Sequence, residues 1–352
     1  MDKISKFEQV MDHVYGKYST CWKPKPFIKS QPRYLWTDAF GVCNYLTLFK
    51  ETKNQNFLNQ ASILIDEVHN ILGKSRDGSK RLNSSTDEHP LNGGLRIGKP
   101  ENEGVGMSAD GQYFHYLTKW MFALNRMALI SKEVKYNKRG IELVQAIHRK
   151  FCSANKQRMF WKMSIDLSKP LVNSEGGLDT YDGLTMYLIL QNTQKVFDNF
   201  EGMKEEEKKE WEEKNLKPEI DHMKSLVSVR YKSYSTNDPL DAGEALWLSH
   251  FFPEFDYSKQ LKSQASAAVE SLYKYGEFTG PPQHRLAFRE FGTTIGVQMH
   301  NDLWQKEWNQ RVEGLHQFWD GSLYSRDNDI TPIMFCTSLI PGVFINSYLD
   351  SQ

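Results

Sequence analysis

Hydrophobic and polar positions alternate along this chain between two kinds of segment. In residues 4–18, Ile4, Phe7, Val10, Met11, Val14 and Tyr15 recur at helical spacing, which predicts an amphipathic helix. Residues 34–49 are apolar nearly all round (Leu35, Trp36, Ala39, Phe40, Val42, Cys43, Tyr45, Leu46), the mark of a buried helix. The alternation then repeats. Residues 110–130, 182–190, 241–252, 288–299 and 331–348 read as buried helices, and 56–72, 135–151, 203–227, 258–273 and 303–318 as amphipathic ones. The very polar 203–227 stretch reads as a solvated helix broken at Pro218.

Counting the first helix as outer, the pattern gives six buried and six amphipathic helices in one domain over 1–352. The expected fold is all-α, an (α/α)6 toroid of six inner and six outer helices. Short β-branched runs such as Leu226-Val227-Ser228-Val229 are too isolated to build a sheet. Links from inner to outer helices are short, whereas outer-to-inner links such as 73–109 and 153–180 are long. Long loops in compact domains usually carry function. The working rim is therefore expected at the amino ends of the inner helices.

Several buried segments open there on an Asp followed by a small residue: Asp38-Ala39, Asp110-Gly111, Asp182-Gly183 and Asp241-Ala242. An Asp at a helix start can simply cap free backbone N–H groups. A ring of such carboxylates facing one hollow would instead supply a general acid and a general base. Trp36, Tyr113 and Tyr181 stand close to these aspartates as candidate platforms for a sugar ring. Asp241 and Glu244 share a helix face, with Glu244 either a capping-box partner or a pocket carboxylate. His284, Arg289 and Glu290 enter the fifth buried segment, where Arg289 would clamp an anion or tie neighbouring helices together. His115, set among aromatics, reads as a core histidine or a substrate contact. The Gly-rich 92–107 stretch is expected to be a rim loop, with Arg96 and Lys99 as anion contacts. It matches neither a phosphate-binding loop nor a dinucleotide fingerprint.

Charge narrows the partners. The 44 basic and 44 acidic residues balance, which removes the electrostatic case for nucleic acid or an anionic membrane. No stretch nears the ~20 apolar residues of a spanning helix, and no apolar signal core follows Met1. The four cysteines are scattered without a CxxC pair and read as reduced, mostly buried thiols, so a cytoplasmic location is expected. No HExxH motif, Cys/His cluster or Asp-rich metal motif is visible, so neither metal nor cofactor is expected.

Twelve alternating helices with aromatic-rich inner ends resemble the six-hairpin glycosidase superfamily, which includes unsaturated glucuronyl hydrolases and N-acylglucosamine 2-epimerase-like proteins. The resemblance is architectural and spans nearly the whole chain. It implies a carbohydrate-active enzyme acting without a cofactor on a sugar or sugar acid, most simply a glycoside hydrolase. Asp110 would be its acid/base and Asp38 or Asp182 the second carboxylate. A sugar isomerase or epimerase using His284 or His300, or a lyase or dehydratase, is the enzymatic alternative. A helical binding scaffold without catalysis is the other.

Overall fold

The computed structural model describes residues 2–349, apart from the side chain of Lys306. Its inner helices are α2 (Leu35–Thr52), α4 (Phe114–Ser131), α6 (Asp179–Phe197), α9 (Pro239–Ser249), α11 (Ala287–Val297) and α14 (Ile330–Leu339). Consecutive inner helices touch, and α14 returns to α2, so the ring closes. Outside them lie α1 (Lys3–Tyr15), α3 (Gln55–Ile71), α5 (Val134–Phe151), α7 (Glu205–Lys214) with α8 (Lys217–Arg230), and α10 (Asp256–Lys274). The last outer rod joins α12 (Asn301–Leu303), a π-helical turn (Trp304–Trp308) and α13 (Asn309–Asp320). The predicted toroid is the fold observed.

The apolar pattern builds this ring because inner helices bury every side. Residues Leu35 to Leu48 of α2 are all buried, whereas α5 buries one stripe including Ile141, Val144 and Ile147. Lys53 and Lys132 end α2 and α4 in the left-handed conformation, which allows two-residue turns into the following outer helices.

Among the boundaries that differ from the sequence reading, three change the path of the chain. The second inner helix starts at Phe114, not at 110, because Gln112–Tyr113 (β1) pairs antiparallel with Lys162–Met163 (β2). This ladder joins the two longest rim loops. The polar stretch breaks at Asn215 and Leu216, whose Leu216 has positive φ, and Pro218 sits in the first turn of α8, where its missing N–H costs nothing. The last inner helix stops at Leu339 and continues as 3-10 turns after Pro341.

Helices α9 and α11 meet backbone to backbone. A Cβ on Gly243 would lie 2.1 Å from the Gly292 carbonyl oxygen, and one on Gly296 would lie 2.0 Å from that of Gly243. This close crossing narrows the ring. The axial space has a volume of about 20 Å³, room for roughly one water. Trp36, Phe40, Lys119, Glu244, Trp247, Met334 and Phe344 line it. The expected central hollow is thus largely plugged.

Candidate active site

The amino ends of α4, α6 and α9 converge on a square of alternating charge. His115 and Lys119 stand one turn apart on α4. Asp182 lies in the first turns of α6, and Glu244 in those of α9. His115 Nδ1 lies 2.8 Å from Asp182 and its Nε2 3.0 Å from Glu244, while Lys119 Nζ lies 2.7 Å from Asp182 and also contacts Glu244. His115 Nδ1 is hydrogen-bonded to Asp182 and its Nε2 faces Glu244 at ion-pair distance, so carboxylates on both sides favour the imidazolium. Two positive and two negative groups balance, and the positive ends of α6 and α9 favour the carboxylates.

Burial would discharge His115, but Glu244 and the hydrogen bonds to Asp182 and Glu244 outweigh it and push the imidazole up to about 10. Burial likewise opposes the charge on Lys119, and the two carboxylates hold its pKa above the ordinary lysine value. Glu244 is pushed by burial towards the neutral form, yet His115 and Lys119 win and keep it well below the carboxylate range. Asp182 moves upward, through burial and the neighbouring Glu244.

Trp36 lies flat over His115, ring centres 5.0 Å apart and planes 19° apart, with its indole N–H donating to Met334 Sδ at 3.4 Å. Asp179, one turn ahead of Asp182, is buried with Oδ2 unpartnered among the described residues. Burial and the nearby Asp182 and Glu244, offset in part by His115, raise it to about 7. Asp241 is half-buried and also raised, by burial and by Glu244. At the mouth Tyr34 and Tyr116 share a hydroxyl contact of 2.6 Å, and Lys99 sits 4.5 Å over the Tyr34 ring.

Several predicted site residues face elsewhere. Asp110 precedes the helix and is fully buried between Arg96 (2.6 Å) and Arg76 (2.8 Å), also accepting from the Gly98 and Gly111 N–H groups. Arg96 is thereby consumed, donating in addition to the Lys74 and Ile71 carbonyls, and is no anion contact on the rim. Asp38 is fully buried with Arg33 (3.2 Å), the Tyr15 hydroxyl (3.1 Å) and the Tyr34 N–H (3.2 Å). Glu290 takes a bidentate grip from Arg285 (2.7 Å each) and the Trp319 N–H, so it faces α13. Arg289 pairs with Asp238, the cap of α9, and so ties two inner helices. Tyr181 packs between Tyr234 and Tyr257, away from the square. Tyr113 packs edge-on against Tyr116 and Trp161, beside the mouth. His284 is exposed on the loop before α11. His300 lies at the opposite rim, against Ser249 and the Leu246 carbonyl.

Lys119 escaped the sequence reading altogether, and Asp179 fell within the long 153–180 link, placed before the third buried helix rather than on it. A lysine four residues after His115 in an otherwise apolar helix was the available signal. A larger concavity of about 760 Å³ opens at the carboxyl ends of α2, α4 and α6, beside Lys50, Lys53, Arg126 and Lys132. Its described lining holds no carboxylate, and cations at helix carboxyl ends offset the exposed carbonyls. The buried carboxylates described above lie at the other rim.

No protein-family model matches the chain, and no curated protein matches it in sequence. Solved structures do match in shape. Cellobiose 2-epimerase from Spirochaeta thermophila aligns with a TM-score of 0.60 at 11% identity, over 99% of this chain and 96% of that one. A D-mannose isomerase aligns with a TM-score of 0.60 at 10% identity, over 96% and 97%. The third is an inactive α-1,6-mannanase from a Salegentibacter species, with two consecutive aspartates replaced by alanine and α-1,6-mannotetrose bound. It aligns with a TM-score of 0.55 at 11% identity, over 99% and 100%. The chain shares their fold. Among the described residues no helix is long and apolar enough to cross a membrane.

Proposed function

We propose that this protein is a carbohydrate-active enzyme that binds a small sugar or sugar acid at the amino-end mouth and works by proton transfer, most simply as a glycoside hydrolase. The observation that carries the reading is the charged square of half-buried His115 with buried Asp182, Lys119 and Glu244, with Asp179 and Asp241 beside it. The shared fold with a mannanase, an epimerase and an isomerase supports it. Asp179, held protonated near neutrality, donates to the leaving oxygen. Asp241 takes a proton from the attacking water. The imidazolium of His115, fixed between two carboxylates, places positive charge beside the bound sugar, and Trp36 and Tyr113 line the approach. Asp38 and Asp110, saturated by arginines, hold loops rather than substrate.

The mannanase variant lacks two consecutive aspartates, and this chain has no such pair. Its mouth acids stand three apart, Asp179 with Asp182 and Asp241 with Glu244, so a residue-by-residue transfer from that enzyme has no anchor. The plugged axis and the saturated Asp38 and Asp110 favour a second reading, a non-catalytic sugar-binding scaffold.

Proton NMR of mannose, cellobiose and α-1,6-mannotetraose in D2O with the protein separates these outcomes. New reducing ends mean hydrolysis, and loss of the C2 proton signal means epimerisation or isomerisation. Either one must vanish in Asp179→Asn. Sugar binding without turnover would leave the scaffold, and neither binding nor turnover would overturn the proposal.

A further inference from the structure

The sequence shows no Cys/His cluster, but the fold makes one outside the mouth. His148 and Cys152 are four residues apart at the carboxyl end of α5 and project from one face, and α8 sets His222 opposite them. His222 Nδ1 lies 2.9 Å from His148 Nε2 and 3.8 Å from Cys152 Sγ, so the three donor atoms lie within 4.8 Å of one another. Met159 brings its Sδ to 3.4 Å from the same sulfur.

The surroundings orient these donors. His222 Nε2 donates to the Lys156 carbonyl at 2.7 Å, which puts its proton there and leaves Nδ1 as a bare lone pair inside the cluster. The other nitrogen of His148 meets the Tyr187 hydroxyl at 3.3 Å, a partner for an Nδ1 proton once Nε2 is a ligand. Both imidazoles thus have the outer contacts of metal ligands.

We propose that His148, Cys152 and His222 form a binding site for a soft d10 metal ion. Zn2+ would take these three donors with a fourth position open, and Cu+ would add the Met159 thioether. On binding, the Cys152 thiol releases its proton to solvent and the His148 proton shifts to Nδ1; no redox change is involved. The ion would staple α5 to α8 at the head of the loop that runs to Asp179.

The test is titration of the full chain with Zn2+, and anaerobically with Cu+, in competition with a chromophoric chelator. One equivalent is expected to bind. Cys152→Ser and His222→Gln should each weaken binding by more than the about 10- to 100-fold typical of outer contacts. Met159→Leu should weaken Cu+ binding and leave Zn2+ binding intact. Co2+ should give a thiolate charge-transfer band that Cys152→Ser removes. Should a variant fail to fold, the unmodified chain still decides: bound metal must shield Cys152, and not the exposed Cys21, from alkylation in peptide mapping. Absence of stoichiometric binding by either ion, binding unchanged in both variants, or undiminished alkylation of Cys152 would overturn the proposal.

Discussion

Lys119 is the residue on which the mouth is balanced. Its ammonium and the His115 imidazolium neutralise two buried carboxylates, so Lys119→Met leaves one negative charge uncompensated. Removing one partner of a buried ion network costs about 3–5 kcal/mol; urea unfolding should read a loss of that order. Asp179 behaves in the opposite sense. Its folded pKa of about 7 exceeds the ordinary 3.8, so the unfolded chain ionises first and stability falls as pH rises between these values. Asp179→Asn should therefore raise the unfolding midpoint above pH 7 and leave it unchanged below about pH 4. His115 adds a separate window. With its folded pKa raised to about 10, its stabilisation is complete below about 6.5 and is lost as pH climbs through 10.

At the scale of elements, α9 and α11 cross with their backbones in direct contact. Gly243→Ala would drive a methyl group into the Gly292 carbonyl and force the helices apart, at a cost of about 1–3 kcal/mol or more. Gly314 on α13 meets nothing within 4 Å, so Gly314→Ala should stabilise by up to about 1 kcal/mol. Thermal unfolding of the two variants should move in opposite directions. The helices themselves were legible in the sequence because buried and half-buried rods differ in how far round the apolar residues extend. Asp182, Asp241 and Glu244 were legible as helix-start acids. Asp110 misled because the same Asp-Gly opening also suits a coil residue gripped by Arg76 and Arg96, and those arginines come from 34 and 14 residues upstream. The plugged axis was hidden too: it depends on glycines of two helices meeting in space.

Over the whole molecule, the two rims divide the chemistry. One gathers helix amino ends, the charged square and the long loops joined by β1 and β2; the other gathers carboxyl ends and lysines around a wide basin. The larger concavity and the acid–base groups therefore lie at opposite ends of the toroid. A crystal of the protein soaked with mannose or cellobiose tests the account most directly. A sugar ring within contact of Trp36, His115 and Asp179 is the predicted result. A sugar seated instead in the basin beside Lys50, Lys53 and Lys132, with the mouth bare, would contradict it.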